Sequence, residues 1–202
     1  RRIERVPVLI GSTADEFTVF VALSYLRHKK LPPYPALLRR TFGPRAAAVA
    51  EQYPLHRYDG SAGLAYAAAV TDGVFACPIE SLAGDLARRA PVYAYEFNDR
   101  NAPVPEPLRH TPFAPGAGHA LELRYLFDMG GAPKLTPAQQ LLSEQMVDYW
   151  SAFVRTGAPD AEGQPRWPVL NPEEPQRMSL QTGESVMVGD FAARHRCGFW
   201  NG

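Results

Sequence analysis

Lysine is scarce in this chain, with three residues against eighteen arginines, and acidic and basic side chains cancel at 21 each. A formal charge of zero gives no electrostatic case for nucleic acid or for a membrane surface as partner. The sequence shows no uninterrupted apolar run of about 18 residues, the length that crosses a bilayer. Cysteine occurs twice, at Cys77 and Cys197, and neither C-x-x-C nor H-x-x-x-H is present, so no metal site is expected. Phosphate-loop and dinucleotide fingerprints are missing too, and no cofactor is expected. The opening RRIERVPVLIG lacks a methionine and the apolar core of a signal peptide. It enters a strand almost at once, as a chain cut from something longer would. The arginine bias, with abundant alanine and proline, suggests a GC-rich bacterial genome. What remains is ordinary: 46% hydrophobic and 11% aromatic residues, enough for a globular domain with a core.

Strand and helix signals alternate along the chain, which predicts an α/β fold with a mostly parallel sheet. Val6 to Ile10 is a short continuous apolar run, expected to be a strand buried on both faces. Ser12 or Thr13 can cap a helix over 14–27. Prolines 32, 33 and 35 break the chain before helical stretches at 36–40 and 45–52. Further helices are expected at 61–71 and 79–90, and VYAYEF (92–97) reads as a second strand. Residues 98–118, dense in Pro, Asn and Gly, form a long loop of the kind that often carries function. The clearest helix is Pro137 to Thr156, with a stripe of Leu142, Met146, Tyr149 or Trp150, and Phe153, and Gly157 as its C-cap. Short strands at 178–181 and 186–188 and a final helix over 191–200 complete the expectation, without repeats or an internal domain boundary.

Two segments carry the chemistry. IGSTADEFTVF (10–20) places Asp15 and Glu16 just after the first strand, and GAGHALELRYLF (116–127) sets His119 behind Gly116 and Gly118 at a helix start. The glycines permit unusual backbone angles there. A carboxylate followed in the chain by a histidine is the order of acid and base in a Ser…Asp/Glu…His triad, in which the carboxylate fixes the imidazole tautomer. The bland alternative for Glu16 is local: Thr13-x-x-Glu16 is a capping box. His28, His56, His110 and His195 read as ordinary polar residues. A decoy, DGSAG (59–63), nearly matches a nucleophile elbow, but no apolar strand precedes it and Ser61 follows the acid; it reads as a helix N-cap. The two thiols can be free and buried or bridged, and their number does not decide.

These motifs resemble those of type-B carboxylesterases, the family of bacterial p-nitrobenzyl esterases and cholinesterases. VPVLIGSTADEFTVF is similar to the segment holding the triad glutamate, G-x-x-x-D-E-G, which implies Glu16 rather than Asp15 as the acid. GAGHALELRYLF is similar to G-A-x-H-x-x-E-L/I-x-Y-V/L-F, which implies His119 as the base. MVDYWSAFVRTGAPD (146–160) and the terminal CGFWNG continue the likeness. Phe17 stands where the family has glycine, so its ring either shapes the substrate cavity or fills core. The resemblance implies residues 1–202 as the C-terminal portion of one α/β-hydrolase domain, its nucleophile elbow and oxyanion loop lying N-terminal to this chain. It implies hydrolysis of small-molecule carboxylic esters, with a non-catalytic cholinesterase-like domain or an inactive partial product as alternatives. It also implies a Cys77–Cys197 disulfide and therefore a secreted or extracellular parent. Oligomeric state is not implied.

Overall fold

A computed structural model of the chain describes residues 4–202; the first three residues of the RRIERVPVLIG opening and of the expected 1–202 domain lie outside the described residues. A four-stranded sheet runs in the order β1 (Val8–Thr13), β2 (Val92–Phe97), β3 (Arg177–Leu180), β4 (Val186–Val188). The first three strands are parallel and β4 turns back antiparallel. Helices α1 (Thr18–His28), α2 (Tyr34–Phe42), α3 (Ala46–Gln52), α4 (Ala62–Val70) and α5 (Cys77–Ala87) lie in the crossover from β1 to β2. Between β2 and β3 come α6 (Leu123–Leu126) and α7 (Pro137–Thr156), and α8 (Phe191–Arg194) and α9 (Cys197–Trp200) close the chain. This is part of an α/β-hydrolase architecture, a mostly parallel sheet with flanking helices.

The two-residue period of β2 sorts its side chains between two cores. Tyr93, Tyr95 and Phe97 face α7, joining Leu142, Met146, Tyr149 and Trp167. Val92 and Ala94 face α5 with Ala83, Leu86 and Leu170. A third cluster gathers α1 to α4 around Leu38, Val49 and Tyr53. Burying each large apolar side chain contributes about 1.5–3 kcal/mol, so α7 is held chiefly by its Leu142–Met146–Tyr149 stripe.

Several boundaries differ from expectation. β1 is the edge of the sheet, half-buried rather than covered on both faces, because among the described residues only β2 pairs with it. Helix α1 starts at Thr18, and neither Ser12 nor Thr13 caps it. The final helix breaks into α8 and α9 where Arg196 adopts the left-handed conformation (φ 53°). Residues 62–87 form one continuous 26-residue helical rod, α4 and α5 joined by a π turn at Thr71–Ala76. By length and composition alone that rod is long and apolar enough to cross a bilayer, but 56% of its most apolar stretch is buried in the protein, as in a core helix, and it makes no clear membrane span. Ser61 is the N-cap of α4, its hydroxyl accepting from the Leu64 N–H at 3.3 Å.

Candidate active site

The chain leaves β1 through a turn at residues 14–17 before α1 begins, and that turn is stitched to the loop ahead of α6. The Asp15 N–H donates to the Ala117 carbonyl (2.9 Å), and the Ala117 N–H donates to Asp15 Oδ2 (3.0 Å). The His119 N–H donates to the Glu16 carbonyl (3.3 Å), and the Thr18 hydroxyl reaches the Pro115 carbonyl. Gly116 has φ +63°, and a Cβ there would collide with the Asp15 carboxylate. Gly118 keeps an ordinary φ; it is small because Val19 and Thr18 leave no room for a side chain. Ala120, one residue past His119, carries a strained φ of 63°.

This stitching brings Glu16 and His119 together across 103 positions, the Nδ1–H donating to Glu16 Oε2 at 2.7 Å. The other oxygen, Oε1, accepts the Thr13 N–H at 2.8 Å. One carboxylate therefore does both things the sequence offered as alternatives, although the backbone group it satisfies belongs to the turn and not to a capped helix. The two partners differ in exposure: the Glu16 side chain is 7% exposed and that of His119 is 48%. His119 Nε2 makes no hydrogen bond among the described residues. A buried carboxylate behind an open imidazole fixes which nitrogen faces outward.

Aromatic rings surround the imidazole. Phe20 lies 5.1 Å from its centroid and Phe75 6.1 Å. Phe17 stacks on Phe20 at 5.1 Å, meets Tyr66 edge-on and packs against the core of α1–α4, while its N–H is held by the Thr71 hydroxyl at 2.9 Å. Glu122, from the same loop as His119, has its carboxyl pushed up by burial and by the nearby Glu16 charge. The Asp15 carboxyl is likewise raised by burial, against the opposing pull of Arg100 (3.3 Å) and the Ala117 N–H. Sequence reasoning weighed Asp15 as an alternative acid to Glu16 and assigned no role to Thr18, Thr71 or Glu122; the Asp15–Ala117, Thr18–Pro115 and Thr71–Phe17 bonds join residues far apart in the chain.

His195, read as ordinary, is buried between two carboxylates: Nδ1 lies 2.6 Å from Asp72 and Nε2 2.7 Å from Glu96. Arg194 caps Glu96 at 2.7 Å, and Tyr53 and Trp200 extend the chain of bonds from Asp72. Both imidazole nitrogens are engaged, so this cluster is an anchor. Cys77 and Cys197 are disulfide-bonded, with Cα atoms 5.2 Å apart, tying the start of α5 to α9.

The model of the carboxylesterase family matches residues 1–200. The chain belongs to that family. Human cocaine esterase is 35% identical over 135 residues, covering 65% of this chain and 23% of that protein. The acetylcholinesterase of Bungarus fasciatus is 32% identical over 130 residues (62% and 20%), and the rat acylcarnitine hydrolase 36% over 139 residues (67% and 24%). This carboxylesterase chain therefore spans between a fifth and a quarter of the length of these relatives.

Proposed function

We propose that this chain supplies the acid and base of a serine-dependent carboxylic ester hydrolase, with the serine and the oxyanion donors in an N-terminal part outside it. The observation that carries the reading is the Glu16–His119 pair, a buried carboxylate 2.7 Å from Nδ1 of an imidazole whose Nε2 side is open. In this reading the serine oxygen attacks the ester carbonyl while His119 Nε2 takes its proton. Glu16 stays ionised and holds the imidazolium. Collapse of the tetrahedral intermediate expels the alcohol, which takes that proton from His119, and leaves an acyl-enzyme. Water then attacks the acyl carbon while His119 takes its proton, and collapse of the second tetrahedral intermediate releases the acid as His119 returns that proton to the serine oxygen. Phe17 lines the substrate cavity through its contact with Phe20, which flanks His119. The Cys77–Cys197 bond supports a secreted or extracellular setting for the parent.

The test is turnover of a short-chain p-nitrophenyl ester. The 202-residue chain alone is expected to be inactive. A longer protein that includes the upstream coding sequence is expected to be active and to lose activity with His119→Ala. Turnover by the 202-residue chain that depends on His119 but survives Ser61→Ala would place the nucleophile inside this chain and overturn that part of the assignment.

A further inference from the structure

From Phe17 to Ala50 the sequence contains no Asp or Glu, yet it holds Arg27, His28, Lys29, Lys30, Arg39, Arg40 and Arg45. In a chain of zero net charge this is a strongly basic face, built from the end of α1, the proline turn after it and the end of α2. Arg27, Lys29, Lys30, Arg39 and Arg40 are all exposed, and none is ion-paired among the described residues. Arginines in the last turns of α1 and α2 complement the helix dipoles. That accounts for Arg27, Arg39 and Arg40, but not for Lys29 and Lys30, which lie beyond the last residue of α1.

The face is not flat. A cleft of about 510 Å³ opens between the two helix ends, lined by Ser24, His28, Lys30 and Arg40 over Leu31 and the two prolines. That volume falls within the usual range of small-ligand sites. Like charges facing each other across a cleft repel, and a bound anion relieves that repulsion. Ser24 lies one helical turn from Phe20, and these residues are neighbours on the helix surface. Phe20 in turn contacts the His119 ring, and Phe20 and Leu23 are 37% and 50% exposed. An apolar strip thus leads from the cleft to the catalytic base.

We propose that this cleft is an anion subsite of the esterase site, selecting esters that carry a terminal oxyanion, carboxylate or phosphate, about 15 Å from the scissile carbonyl, the rise of the ten residues from Phe20 to Lys30. The proposal rests on the esterase reading above and adds the substrate class. The chain of such an ester would lie along Phe20 and Leu23, with its charged end between Lys30 and Arg40.

The experiment compares two esters of equal chain length in the complete enzyme, p-nitrophenyl hydrogen dodecanedioate and neutral p-nitrophenyl dodecanoate. The expected result is a kcat/KM about tenfold or more in favour of the anionic ester. Lys30→Gln with Arg40→Gln should collapse that ratio, and so should about 0.5 M salt, which screens exposed charges. Arg155→Gln, an exposed cation elsewhere, should leave it intact. No preference in the wild-type enzyme, or a ratio unmoved by the double variant, overturns the proposal. If neither ester turns over, the esterase reading has failed, and calorimetric titration with hexyl phosphate then decides the subsite. Binding lost in the double variant supports it; no binding overturns it.

Discussion

Replacing Glu16 by glutamine keeps the size of the side chain but puts an amide where Nδ1–H needs an anion. The proposed mechanism predicts a kcat loss of about 10³- to 10⁴-fold in the complete enzyme. Glu16→Ala should cost the same activity and, in addition, stability. Oε1 holds the buried Thr13 N–H, and leaving such a donor unpaired costs about 1–3 kcal/mol. Urea unfolding of the two variants separates the roles: equal midpoints would mean that the Thr13 bond contributes nothing. His119 and Glu16 were legible in sequence through their motifs and chain order. His195 was not, because its partners Asp72 and Glu96 lie 123 and 99 positions away and nothing local marks it.

Elements whose ends are written locally were the ones the sequence foretold. Helix α7 runs Pro137–Thr156 as expected, because its apolar stripe is unbroken, Gly157 ends it with φ 80°, and Thr136 and Gln139 form a capping box at its head. Strand β2 matches residue for residue. Helix α1 begins four residues later than expected, because the backbone of Asp15 and Glu16 is engaged by the His119 loop, a demand invisible along the chain. The 191–200 stretch breaks for a similar reason: His195 turns inward to its carboxylates and Arg196 takes the left-handed conformation that this requires. The disulfide at this break closes a loop with a sequence separation of 120. Replacing both cysteines by alanine should lower unfolding free energy by up to about 5 kcal/mol in the chain-entropy model. Denaturant titration of the oxidised protein against the double variant measures it, and coincident curves would remove the bond's structural role.

The buried network also sets how the folded protein answers pH. Burial alone would lower the His195 pKa, but the bonds from Asp72 and Glu96 outweigh it and raise it above 6.5. Its stabilisation is therefore complete below about pH 6.5 and is lost as pH rises through the folded value. Burial would raise Glu96, but His195 and Arg194 outweigh it and hold it below 4.5, so its contribution is present above that pH and is lost as pH falls through the folded value. Asp15 and Glu122, raised by burial, act in the opposite sense, so the readout is the difference between wild type and His195→Gln. That difference should be greatest between about pH 4.5 and 6.5 and shrink on either side; a difference independent of pH would contradict the assignment. The free edge of β1 leads to a further expectation for the 202-residue chain. Among the described residues no strand pairs with its outer side, where the Thr13 N–H is held by Glu16 instead, so sedimentation should show concentration-dependent self-association, and a single species at high concentration would refute it. The π turn at Thr71–Ala76 joins the Glu16–His119 turn to the His195 cluster and the disulfide. Thr71 reaches Phe17 beside Glu16, Asp72 reaches His195, and Cys77, the first residue after the turn, reaches Cys197. A π turn accommodates one residue more than an α turn, so it acts as a vernier: it takes up that residue between α4 and α5 while keeping the two helices in phase. A further residue inserted there would find no such slack and would turn Cys77 by about 100° away from the grips of Thr71 and Asp72.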